Sequence, residues 1–174
     1  MLANALSNVT SGEVAKSDRT TLPETLRKFR YSNKRLMHII FPITIALMVA
    51  SEFLFRVLYN PEFVPAYKVF NIYLLLTCSR LVFPQTIIIG YMRNHVILIT
   101  STVTSIINIG LSLLLIKEYG IIGVAIATLV AHYLNKLYLV YFVHKKLNMT
   151  PAQYTSWRSL AFYSTILWIV FLLI

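Results

Sequence analysis

The stretch YGIIGVAIATLVAHYLNKLYLVYFVHKK, Tyr119 to Lys146, decides how this chain is read. A helix needs about 20 apolar residues to cross roughly 30 Å of hydrocarbon, and this stretch supplies them. Yet it opens on Gly120 and Gly123 and carries His132, Asn135 and Lys136 inside its apolar run. At ~100° per residue, Gly123, Ala127 and Ala131 form a slowly drifting strip of small side chains, suited to close helix packing. Thr128, His132, Asn135 and Lys136 fall within an arc of about 100° beside that strip, with Ile122, Ile126, Leu129, Val130, Tyr133 and Leu137 opposite. The pattern predicts three faces: one closely packed, one polar at the edge of a hydrated cavity, one toward lipid. Two readings of the polar face stand. Lys136 lines the cavity or snorkels to the interface, and His132 faces the cavity or is a hydrogen-bonded interior histidine.

The rest of the chain has the same character. Of 174 residues, 57% are hydrophobic and 13% charged, with a mean hydropathy of +0.69. The charged fraction is about half that of ordinary soluble domains, which points to a membrane protein. Residues 36–59, 67–91, 96–116 and 121–143 are each apolar enough to span, and 159–174 makes a fifth, shorter segment. At ~1.5 Å per residue, that last segment reaches only about 24 Å, and no polar or basic flank follows Ile174, so truncation is expected. Backbone groups in lipid must pair within their own segment, so the spans are helices. The expected fold class is all-α: a polytopic bundle of about five transmembrane helices. Asn60-Pro61, Val64-Pro65, MRNH, KEYG and HKKLNMTPAQYTSWR mark the connections.

The net charge of +10 follows from orientation rather than from nucleic acid. Lys16, Arg19, Arg27, Lys28, Arg30, Lys34, Arg35, Arg93, Lys145, Lys146 and Arg158 fall on one side of the expected bundle, and only Lys68 and Lys117 on the other. Basic connections stay cytoplasmic, which puts residues 1–35 inside the cell as a tail or loop and 36–174 in the membrane. Those first 35 residues lack the short apolar core of a secretory signal. Within them, Thr21-Leu22-Pro23-Glu24 fits a capping box with an early proline. The amphipathic turns that follow read as an interfacial helix on anionic lipid or as an extension of the first spanning helix, the second being preferred. Asn8 and Asn148 match a glycosylation pattern on the cytoplasmic side, where it reads as chance. Cys78 is the single cysteine, so no intrachain disulfide forms.

Polar residues at membrane depth are few. Glu52 and Arg56, four apart, suit an ion pair, with ion coupling through Glu52 as the other reading. Arg80 is near the middle of the second segment, followed by Pro84, which bends the helix, and Gln85. Arg80 is the leading candidate for a cavity cation; otherwise it meets a carbonyl freed at the proline. Ser101, Thr104, Ser105, Asn108 and Ser112 draw one stripe on the third segment, read as helix–helix hydrogen bonding or substrate contact. His38, His95, His132 and His144 are scattered, so no metal site is readable. No phosphate-cradling loop or nucleophile elbow appears, and only six acids are present. Neither an enzyme nor a cofactor is expected.

The stretch INIGLSLLLIKEYGIIGVAIATLVAHYLNKLYLVYFVHKK resembles the C-terminal half of polysaccharide flippases, the O-antigen-unit translocases of the multidrug/oligosaccharidyl-lipid/polysaccharide exporter superfamily. Asn108, Tyr119, Gly120, Gly123, Ala125, Ala127 and Thr128 carry the match, with Val124 where the family often has alanine. ALSNVTSGE, FPITIALMVASEFLFRVLYNPEFVPAY and SRLVFPQ resemble preceding helices, extending the likeness over roughly residues 1–150. The resemblance implies about helices nine to thirteen of a fourteen-helix, two-lobed transporter in a bacterial inner membrane, with an N-terminal lobe missing. It also implies an undecaprenyl-pyrophosphate-linked oligosaccharide as the partner. Arg80 and Lys136 would be the cavity cations of this lobe, because guanidinium and ammonium groups pair with pyrophosphate oxygens. The alternatives are a drug/cation antiporter lobe, in which Glu52 would couple ions, and an inactive membrane fragment.

Overall fold

The computed structural model describes residues 2–17 and 21–174, with side chains described from Asn8 onward; Arg19, counted among the cytoplasmic bases, lies outside them. The described residues are all-helical: α1 (Leu2–Lys16), α2 (Leu22–Leu58), a 3-10 turn (Pro61–Ala66), α3 (Tyr67–Arg80), α4 (Pro84–Gly90), α5 (Asn94–Leu147), α6 (Pro151–Tyr154) and α7 (Trp157–Leu173). By length and composition, α2 and α5 can each cross a membrane, and Pro61–Gly90 makes a third candidate if its bent halves count as one span.

α2 runs unbroken for 37 residues, so the amphipathic turns of the tail and the first spanning segment are one helix. Its interior stripe is Leu26, Phe29, Asn33, Met37, Phe41, Thr44, Met48 and Ser51, a three-and-four spacing that keeps one side turned to the bundle throughout. The stripe meets α1, α3, α6 and α7. Thr44 and Ser51 bury their hydroxyls by donating to Ile40 O and Met48 O. The expected capping box is not made. Thr21 forms no side-chain cap bond, and Glu24 turns to Lys28 at 3.1 Å instead. A comparable device closes α6, where Gln153 Oε1 accepts the Thr150 N–H at 3.0 Å.

α5 has continuous helical hydrogen bonding on both sides of Gly120, whose φ of 57° and ψ of −138° are not helical. A straight helix of its 54 residues would be about 81 Å long. Instead the chain reverses at Gly120. A Cβ on Gly123 would stand 2.4 Å from Leu115 O, and Thr128 Oγ1 meets Asn108 Oδ1 at 3.3 Å. Both approaches require an antiparallel hairpin. Lys117, Glu118 and Tyr119 of KEYG therefore continue the helix, and the expected connection is concentrated in Gly120, the one residue of the four that tolerates positive φ. The small-residue strip lies where expected, with Gly123, Ala127 and Ala131 all buried.

The second expected span is not one bent helix. α3 ends at Arg80, residues 81–83 leave helical geometry, and Pro84 starts α4 at an angle of 46°. Proline here opens a new helix, the position its fixed φ and missing N–H suit best. α4 packs between α1 and α5. The fit at α1 is tight, since a Cβ on Gly90 would stand 2.5 Å from Val14 Cγ1.

Candidate functional site

Breaking a helix inside an apolar bundle frees carbonyls that lipid cannot satisfy, each at a cost of several kcal/mol by the usual magnitude. The break at 81–83 is serviced from two neighbours. Asn33 Nδ2 on α2 donates to Leu81 O at 3.2 Å. Lys136 Nζ on the second half of α5 donates to Val82 O at 3.0 Å and to Gln85 Oε1 at 3.1 Å. Phe29 of α2 meets Phe83 edge-on, with ring centroids 5.7 Å apart. Leu81, Ile87 and Ile88 around the break are fully buried. One to two turns earlier on α3, Leu75 O accepts from Tyr133 Oη at 3.2 Å, which ties the same stretch of α5 to α3.

Lys136 therefore neither snorkels nor stands as a free cavity cation; its ammonium is half-buried and engaged with the broken helix. Arg80 plays no part in capping the break. It is exposed and makes no hydrogen bond or ion pair to a described residue, so the carbonyl-partner reading for it does not hold. It remains within electrostatic reach of both Lys136 and His132, and His132 is also exposed. Arg80, His132 and Lys136 thus lie within charge range of one another beside the break, and α3 puts Arg80 about 20 Å along the helix from Tyr67.

The polar arc of the opening stretch does not face one cavity. Thr128 turns to Asn108 within the hairpin. Asn135 lines a pocket of about 420 Å³ between the hairpin halves, beside Thr100 and Thr104, and its buried Oδ1 has no partner among the described residues. Lys136 turns instead to Val82 and Gln85, and His132 is exposed within charge range of Arg80. The opposite side is not simply lipid-facing either. Ile122, Ile126 and Leu129 line a groove shared with α3 and α7, and Tyr133 is tied to α3. The stripe on the first half of α5 hydrogen-bonds mainly within its own helix: Thr104 to Thr100 O, Ser105 to Ser101 O and Ser112 to Asn108 Oδ1. Glu52 pairs with Arg56 at the far end of α2, the structural alternative of the two offered for it.

Asn33 escaped the sequence reading because it lies before the segment that hydropathy marks as spanning. The available signal was its register, four residues after Phe29 and four before Met37, both apolar positions of one helix face. Together these features give the described residues an all-helical arrangement, with two to three helices long and apolar enough to cross a membrane and with Arg80, His132 and Lys136 beside a broken helix. No protein-family model, curated protein or solved structure matches the chain.

Proposed function

We propose that this chain is the C-terminal part of a flippase that moves undecaprenyl-pyrophosphate-linked oligosaccharide units across a bacterial inner membrane. The observation that carries the reading is the cluster of Arg80, His132 and Lys136 beside a helix break deep in the bundle. Ionisable groups at that depth are costly and usually line a path for substrate or ions. Here three groups of basic type gather without an acid, which suits a polyanionic headgroup better than a cation. Arg80 contributes most, because its five donors form a planar fork matched to phosphate oxygens and none is spent on a described residue. Lys136 holds the break and adds positive charge behind Arg80. Gln85 fixes Lys136, and Asn108 and Asn135 belong to the hairpin rather than to the substrate path. On this reading the hairpin, the α3–α4 pair, α2 and α7 supply about five membrane passes, with the basic end cytoplasmic.

A drug/cation antiporter lobe is less well supported, because Glu52, the acid it would use, is engaged by Arg56 and lies away from the cluster. The test is glycan-export complementation by the full-length protein carrying Arg80→Ala or Arg80→Lys. At normal protein levels, Arg80→Ala is expected to abolish export or cut it at least ten-fold, with Arg80→Lys partly active. Wild-type export by Arg80→Ala would remove the cluster from the substrate path.

A further inference from the structure

The basic end of the bundle holds a second cationic feature, distinct from the cluster at the break. α2, the end of α5 and the segment leading to α6 enclose an open pocket of about 500 Å³. Its floor is apolar, from Leu22, Leu26, Leu147 and Met149, and Arg27 and Arg30 stand at its wall. The two arginines are three apart on α2 and so share a face. Arg30 uses one donor on Ala152 O at 3.0 Å, which holds its guanidinium against the pocket and leaves its other donors free. Arg27 makes no hydrogen bond or ion pair to a described residue. Glu24 pairs with Lys28, whose hydrogen bond and charge, with a smaller contribution from the charge of Arg27, hold its carboxyl below the usual carboxylate range. The pocket lining thus carries two arginines and no acid, and the one exposed carboxylate within charge range among the described residues, Glu24, is shared with Lys28.

With the reversal at Gly120 taken as one boundary of the hydrocarbon, its depth matches that of a lipid headgroup. Counting from the reversal at Gly120, about 20 residues of α5 cross the hydrocarbon, ending near residue 141. Lys145, Lys146 and the pocket residues Leu147 and Met149 follow within about two turns, in the polar boundary layer. A cavity there, with two guanidinia above an apolar floor, matches the split chemistry of a phospholipid: phosphate against arginine, upper acyl carbons against leucine and methionine. A free phosphate would leave the apolar floor unused, and an acidic peptide would have to reach below the surface of the bilayer.

We propose that this pocket binds one anionic phospholipid, its phosphate paired with Arg27 and Arg30. The site does not depend on what the protein transports. The test uses the detergent-solubilised full chain, native mass spectrometry, and added phosphatidylglycerol or phosphatidylcholine of matched chains. Wild-type protein is expected to retain one phosphatidylglycerol at least five-fold more readily than phosphatidylcholine. The Arg27→Gln/Arg30→Gln variant should lose that preference, and the charge-matched control Lys145→Gln/Lys146→Gln should keep it. Glycerol 3-phosphate, the headgroup chemistry without chains, should not displace the bound lipid at equal concentration. A photoactivatable phosphatidylglycerol should cross-link the wild-type chain within 22–30 or 147–153, a readout independent of how the variants fold. Equal retention of the two lipids, equal loss in both variants, displacement by glycerol 3-phosphate, or cross-links elsewhere would overturn the proposal.

Discussion

Lys136 shows what a single charged side chain does inside this bundle. An amine in an apolar helix is conspicuous in the sequence, and its face could be read from helical geometry. Its partners could not, because periodicity tells which way a residue points on its own helix but not what the neighbouring helix presents there. What waits there is the carbonyl of Val82, freed only because the chain leaves helical geometry before Pro84. Asn33 was less legible still, since hydropathy placed it in the tail although the same break requires it. Lys136→Met and Asn33→Ala should each lower stability in detergent by about 1–3 kcal/mol, the usual penalty for leaving a buried acceptor unpaired. Thermal or denaturant unfolding measures this. Unchanged or raised stability in Lys136→Met would show a snorkelling lysine with no structural partner.

At the scale of elements, the glycines of the hairpin differ sharply in what they permit. Gly123 lies against backbone, with Leu115 O 2.4 Å from where its Cβ would be. Gly110, in the other half of the same hairpin, has nothing within 4 Å of that position. Gly123→Ala must therefore push the hairpin apart and is expected to cost about 2 kcal/mol or more, a typical overpacking penalty. Gly110→Ala should be neutral or stabilising by up to ~1 kcal/mol, the helix-propensity difference. Equal effects of the two substitutions on unfolding would argue against the close approach. The small-residue strip was legible in the sequence because Gly123, Ala127 and Ala131 follow helical spacing. A connection at KEYG was legible too, but its confinement to Gly120 was not, because KEYG carries ordinary turn chemistry and does not reveal that helix continues to Tyr119. Pro84 was recognised as a disruption, but whether proline kinks a helix or starts a new one depends on Asn33 and Lys136 being there to cap the carbonyls.

At the scale of the whole molecule, composition and hydropathy gave the class, and the structure distributed the polar residues. The expected single wet face on the opening stretch divides into hairpin contacts, the Lys136 brace for the broken helix, and an exposed His132 that joins the exposed Arg80. The functional reading depends on that last group being in water rather than lipid, and thiol chemistry separates the two, since thiol reagents attack the thiolate that only water supports. Arg80→Cys would be made in a Cys78→Ala background, which removes the buried native thiol, and exposed to a small charged methanethiosulfonate in membrane vesicles. The account predicts rapid labelling at position 80, slowed several-fold by a lipid-linked oligosaccharide pyrophosphate. A thiol that stays unreacted in the folded protein, or reacts at a rate indifferent to that lipid, would contradict it.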